Sequence, residues 1–248
     1  MGWAARLLAA ALALSAGASA AEEGRRMLGV AEAQAWRGVG RLNIDGRRFC
    51  TATLIAADLA LTAAHCLYHP KTMRPIPPGA LRFVAGLRLG GFAAARRVVA
   101  TATHPAYAFD GRASLRSMVS DVALLKLETP VAGRQAAAFA VGRFGDREKH
   151  IALVSYSRDR ANAPSIERGC AVTTALWPVA ALDCEVTYGA SGAPVFAEGP
   201  DGPRVIAVVS ALGGSERGRV ALTVAVAPLM DELHNALARA GAVARRGP

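Results

Sequence analysis

Residues 49–66 read FCTATLIAADLALTAAHC, two short apolar runs that end on a histidine beside a cysteine. Phe49 to Ile55 and Leu59 to Thr62 are rich in Thr, Leu and Ile, with only a few small or polar residues between them, which is the pattern of neighbouring strands. Similar runs recur outward from this stretch. Val39 to Ile44, Leu81 to Ala85, Arg96 to Thr103 and Val122 to Leu127 complete a first set. Ile151 to Tyr156, Gly169 to Leu176, Ala193 to Phe196, Val205 to Ser210 and Val220 to Val226 make a second. Short strands separated by turn residues predict an all-β barrel or sandwich. Thr129 to Gly142 lacks period-2 alternation and reads as the connection, which places residues 21–130 in one domain and 131–248 in another. One helix is expected over 228–240, because Leu229, Met230, Leu233, Leu237 and Ala240 fall at helical spacing, Pro228 suits a first turn and Gly241 a stop.

The composition narrows the class. A chain of 248 residues that is 52% hydrophobic and 19% charged is neither disordered nor collagenous nor a coiled coil. Met1 to Ala20 (residues 1–20) reads as an export signal, with Arg6 ahead of the apolar run Leu7 to Leu14 and Ala18-Ser19-Ala20 as the cleavage site. Beyond it no run approaches the ~18 apolar residues of a membrane span, so a soluble, secreted or periplasmic monomer is expected. Four cysteines, an even number without CxxC spacing, favour two disulfides in an oxidising compartment, and no metal or cofactor is expected. The 29 Lys and Arg less 19 Asp and Glu give +10. Nearly all of that charge is Arg, scattered in pairs such as Arg47-Arg48 without interleaved aromatics, so it reads as a solvated surface and not as a specific nucleic-acid groove.

Three local sequences carry chemistry. In Leu61-Thr62-Ala63-Ala64-His65-Cys66 an imidazole follows an apolar strand, and small neighbours leave room for a tight turn. Such a histidine can take and return a proton at neutral pH, and a disulfide from Cys66 to Cys50 would pin its turn to the preceding strand. In Asp121-Val122-Ala123-Leu124-Leu125-Lys126-Leu127 a carboxylate heads an almost wholly apolar strand. Burial there demands a hydrogen-bond donor, and an imidazole N–H is a suitable one. In Thr187-Tyr188-Gly189-Ala190-Ser191-Gly192-Ala193-Pro194-Val195 a serine lies among small residues, where the backbone N–H groups of Gly189 and Ser191 can converge on a developing negative charge. Taken singly, each is also a feature of ordinary turns.

Together, the trio TAAHC, DVALLKL and GASGAPV, in the order His, Asp, Ser, resembles the trypsin/chymotrypsin-fold serine endopeptidases, and particularly their compact secreted bacterial members. His104-Pro105-Ala106-Tyr107 is similar to a stretch common in that family upstream of the aspartate, which makes His104 structural. The resemblance implies two antiparallel β-barrels packed across a cleft, with a C-terminal α-helix. It implies hydrolysis of a polypeptide substrate through an acyl-enzyme on Ser191, with His65 as general base and then acid and Asp121 orienting it. Gly189 and Ser191 would form the oxyanion hole, and Ser210 would support the aspartate. Ala211, Leu212 and Gly213 would pair with substrate backbone, and Glu185, six positions before Ser191, would select Arg or Lys from the base of the primary pocket. Cys170 and Cys184 would brace the loop leading to Ser191. One departure stands out. Ala190 replaces the usual Asp before the nucleophile, so although Arg26-Met27-Leu28-Gly29-Val30 resembles an activation junction, the usual internal ion pair cannot form. Two other functions remain open on sequence alone: an inactive two-barrel binding module, and an acyl-ester hydrolase using the same three groups.

Overall fold

The computed structural model describes residues 24–246 apart from 146, 147, 149, 216 and 217, so the expected export signal lies outside the described residues. The first half runs β1 Arg26–Met27, α1 Val30–Ala35, β2 Val39–Ile44, β3 Arg48–Ala56, β4 Leu59–Thr62, β5 Leu81–Ala85, β6 Ala94–Thr103, α2 Leu115–Met118 and β7 Ala123–Leu127. The second runs β8 Ile151–Ser157, β9 Arg160–Cys170, β10 Val172–Leu176, β11 Val179–Leu182, β12 Pro194–Ala197, β13 Arg204–Ser215, β14 Gly218–Ala225 and α3 Met230–Arg246.

Strands β2 to β7 close an antiparallel barrel in the order β2-β3-β4-β7-β6-β5. The remaining strands form one curled sheet, β1-β9-β8-β12-β13-β14-β11-β10, and the whole is the two-barrel architecture expected from the resemblance. Three apolar clusters follow from this arrangement. Leu42, Ile44, Phe83 and Leu125 fill the closed barrel, Ile151, Leu153, Val195 and Ile206 fill the curl of the second sheet, and Leu59, Leu61, Leu124, Val154 and Phe196 fill the space between the two. Strands such as β4 and β7 therefore bury both faces, and this is why they read as continuous apolar runs and not as alternating ones. Trp36, Phe139 and Phe196 meet between the sheets, with Phe196 centroids 4.9 Å from Trp36 and 4.7 Å from Phe139, both edge-on. Phe139 belongs to the connecting stretch Thr129 to Gly142, which carries no helix or strand.

The chain ends cross between the two halves. β1 pairs with β9, joining Arg26 to the second sheet, while α3 packs against β6 and β7 of the barrel through Met230 and Leu233. The helix runs past the expected stop at Gly241 to Arg246. One glycine costs about 1 kcal/mol against alanine in a helix, and the strong helix formers Ala242, Ala244, Arg245 and Arg246 carry it through. The expected strand Gly169 to Leu176 is two elements, since β9 ends at Cys170 and β10 begins at Val172. Disulfides join Cys50 to Cys66 and Cys170 to Cys184. Phe196→Ala, which empties the centre of the ring cluster between the sheets, is expected to cost about 3–5 kcal/mol of unfolding free energy, read as a lowered urea midpoint at unchanged slope.

Candidate active site

His65 sits in a 3-10 turn, Ala64–Leu67, that begins directly after β4. Ala63 and Ala64 are fully buried, so the turn packs closely against the barrel, and the Cys50–Cys66 disulfide ties it to β3. Asp121, 3% exposed, lies just before β7. Its Oδ1 accepts the His65 backbone N–H at 2.8 Å, and its Oδ2 accepts from His65 Nδ1 at 2.7 Å and from the Ser210 hydroxyl at 2.5 Å. Three donors replace the water that burial removes from the carboxylate. Donation from Nδ1 fixes the tautomer that leaves Nε2 as a proton acceptor. The two sulfurs beside this imidazole are bonded to each other, so neither is a thiolate able to bind metal.

The Ser191 loop owes its shape to two glycines. Gly189 has φ +98° and Gly192 φ +75°. A Cβ on Gly189 would stand 2.4 Å from Phe49 Cε2, and one on Gly192 2.2 Å from Thr62 Oγ1, so neither position admits a side chain. The loop hangs on the opposite barrel: Thr51 N–H donates to Ser191 O at 2.9 Å and Thr51 Oγ1 to Gly189 O at 3.0 Å. Gly192 N–H donates to Val209 O at 2.7 Å and ties it to its own sheet. Among the described residues neither the Gly189 nor the Ser191 N–H donates to a backbone carbonyl.

A cleft of about 540 Å³ brings His65, Asp121, Gly189, Ser191, Ser210, Ala211 and Leu212 together. Among the described residues no hydrogen bond joins Ser191 Oγ to His65; such contacts commonly tighten only when substrate arrives. Gly213 does not line the cleft, but with Ala211 and Leu212 it lies where β13 outruns β12. The β12 pairing ends at Val208, whereas β14 still pairs with Ala211, Leu212 and Gly213, so one backbone edge of this stretch is free. Glu185 lies elsewhere. Its carboxylate is outside the cleft, 61% exposed, and bonds Arg25 at 3.2 Å, while Arg25 also holds Asp159 at 2.6 Å. Glu185 is thus a partner of the N-terminal segment and does not line the cleft.

Sequence reasoning also passed over the cleft walls. Arg47, Arg48, Phe49, Tyr107, Arg112, Arg158 and Tyr188 all line it. Their signal was the doublet Arg47-Arg48, which nothing local distinguishes from the other arginine pairs. Burial, with the nearby Asp121 charge, pushes the Tyr107 phenol well above its ordinary range, so it serves as a neutral wall. Ala190 is fully buried in the apolar filling of the second sheet, and Arg26 and Met27 of the junction-like segment are paired into its edge.

Comparison with known proteins agrees with this architecture. The family model described as Trypsin matches residues 29–231. Among solved structures, the chain is similar to a Glu endopeptidase in complex with MPD, at 18% identity and TM-score 0.69 over 88% of this chain and 98% of that one. It is also similar to a thermostable serine protease, AL20, from an extremophilic microorganism, at 16% identity and TM-score 0.63 over 81% and 97%. No curated protein matches. Gly192→Ala combines left-handed backbone strain with a collision at Thr62. It is expected to lower unfolding free energy by about 2–5 kcal/mol, measurable by urea denaturation, whereas a loss below about 1 kcal/mol would contradict the packing described.

Proposed function

Taking as premise that the chain belongs to the trypsin family and is a serine-type endopeptidase, we propose that Ser191, His65 and Asp121 carry out its chemistry. The observation that carries the reading is the pair of 2.8 and 2.7 Å bonds from His65 to Asp121, in a cleft that Ser191 also lines. Ser191 Oγ attacks the scissile carbonyl carbon as its proton passes to His65 Nε2. The carbonyl oxygen becomes an oxyanion facing the Gly189 and Ser191 N–H groups, while Asp121 stabilises the imidazolium through Nδ1–H. Collapse breaks the C–N bond, His65 returns the proton to the leaving amine, and an acyl-enzyme remains. Water, deprotonated by His65, then releases the acid and restores the serine. One chain supplies every group, so a monomer suffices.

Ser210 positions Asp121, and the free edge at Ala211 to Gly213 receives the acyl-side backbone of the substrate as an added strand. Ala190 has no charge to pair, and the junction-like segment is already built into a sheet edge, so the site forms without a cut after Arg26. We assign residues 21–130 and 131–248 to the two halves of the enzyme. Two disulfides and the sequence of residues 1–20 favour export to a periplasm or the exterior, with cleavage after Ala20.

A fluorophosphonate should label the wild type but not Ser191→Ala, and His65→Ala should lower kcat/KM for peptides by about 10⁴- to 10⁶-fold. Absence of labelling in folded wild type sinks the mechanism in favour of a binding module, and turnover of esters without peptides would favour an acyl-ester hydrolase. With Glu185 committed to Arg25, substrates bearing Lys or Arg at the cleaved position should show no advantage in side-by-side turnover.

A further inference from the structure

Catalysis uses one charged wall group, Asp121, yet the cleft is lined by four arginines, Arg47, Arg48, Arg112 and Arg158. Among the described residues none of the four is in an ion pair; the arginines that are, Arg25, Arg26, Arg168 and Arg204, all lie outside the cleft. Asp121 is the only carboxylate among the described cleft-lining residues, and both its oxygens are taken by His65 and Ser210. Asp45 sits beside Arg48 and Asp110 accepts the Arg112 backbone N–H, but neither lines the cleft. The cleft therefore carries four guanidiniums against one carboxylate, and that carboxylate is engaged by His65 and Ser210 and by none of the four.

Three of these groups gather on one flank of Ser191. Arg47 and Arg48 flank the start of β3 next to Phe49, whose ring lies against Gly189. Arg158 occupies the β8–β9 turn, donates its backbone N–H to Tyr188 O at 2.7 Å and lays its guanidinium 5.1 Å from the Tyr188 ring centroid. Arg48 is anchored by a 2.9 Å bond to Tyr68 O. Stacking and anchoring remove rotamer freedom in advance while leaving N–H groups unspent, which suits a planar fork to a carboxylate. The other flank is β13, whose Val209 holds Gly192 and whose free edge begins two residues later. A peptide whose acyl half lies along that edge passes Ser191 and sends its leaving half over the Gly189 flank.

We infer that this flank recognises acidic side chains in the leaving half of the substrate, with Arg158 as the principal reader and Arg47 and Arg48 as supports. The inference deepens the peptidase reading and rests on it. Peptides with one common acyl half and Glu, Gln or Lys in the first two positions after the scissile bond test it. The expected order of kcat/KM is Glu, Gln, Lys, with Glu over Gln by about 10-fold at low salt and by about 3-fold or less in 0.5 M NaCl. Arg158→Gln should bring the Glu-to-Gln ratio close to 1, and Arg158→Lys should leave an intermediate ratio, since it keeps charge but loses the fork. The same peptides titrated against Ser191→Ala should give the same ranking in Kd. If peptides bind with that ranking but the wild type hydrolyses none of them, the peptidase reading fails and the acidic preference stands. Equal kcat/KM and equal Kd for the Glu and Gln peptides at low salt, or a ratio that Arg158→Gln leaves unmoved, overturns the inference.

Discussion

Thr51, in the middle of β3, gives its N–H to Ser191 O and its hydroxyl to Gly189 O, so the serine loop of one sheet is suspended from the barrel of the other. A second crossing runs the opposite way, where Ser210 of β13 reaches Asp121 at the edge of the barrel. Both crossings are short bonds between groups with little access to water, so each costs far more to break than a surface contact. The spacing of imidazole, carboxylate and hydroxyl is consequently set by how the two sheets pack, and the ring cluster of Trp36, Phe139 and Phe196 fixes that packing. Chemistry and core are one construction problem here, since a shift of the sheets would pull on the Thr51 and Ser210 bonds together.

Charge is distributed by a similar logic of place. Away from the cleft, four arginines are ion-paired, Arg25, Arg26, Arg168 and Arg204: bonding to Arg25 holds the Asp159 carboxyl below its usual range, and bonding to Arg26 does the same for Glu32, with Arg168 adding to it. These pairs tie the N-terminal segment to the second sheet and help position α1. The cleft arginines lack such partners, and their anchors are instead a carbonyl and an aromatic face. A net charge of +10 thus has a structural share and a share left facing the cleft.

Much of this architecture was legible in the sequence where burial is two-sided. Val39–Ile44, Leu59–Thr62 and Leu81–Ala85 match the expected strands to the residue, because turn residues bound apolar runs that pack on both faces. β9 escaped notice since its buried middle includes Pro164 and Ser165, neither of which has a strand signature in isolation. β11, Val179–Leu182, is only four residues long and follows directly on Trp177-Pro178, whose proline has no N–H to offer a ladder. In the site, motif spacing singled out His65, Asp121 and Ser191, which line one cleft. It could not state that Glu185 bonds Arg25, 160 residues away in the chain. The arginine wall stayed hidden for the same reason: two turns in different sheets build it, and no local pattern states that they meet.

The position of α3 has a bearing on how the molecule comes into being. The barrel is closed by residues 39–127, but the faces of β6 and β7 that Met230 and Leu233 cover must wait for more than a hundred further residues to be made. During synthesis the earliest module to assemble therefore stands with an apolar flank bare. The last helix acts as a latch: until it docks, the nascent protein still exposes its greasy side, whatever the state of its cleft.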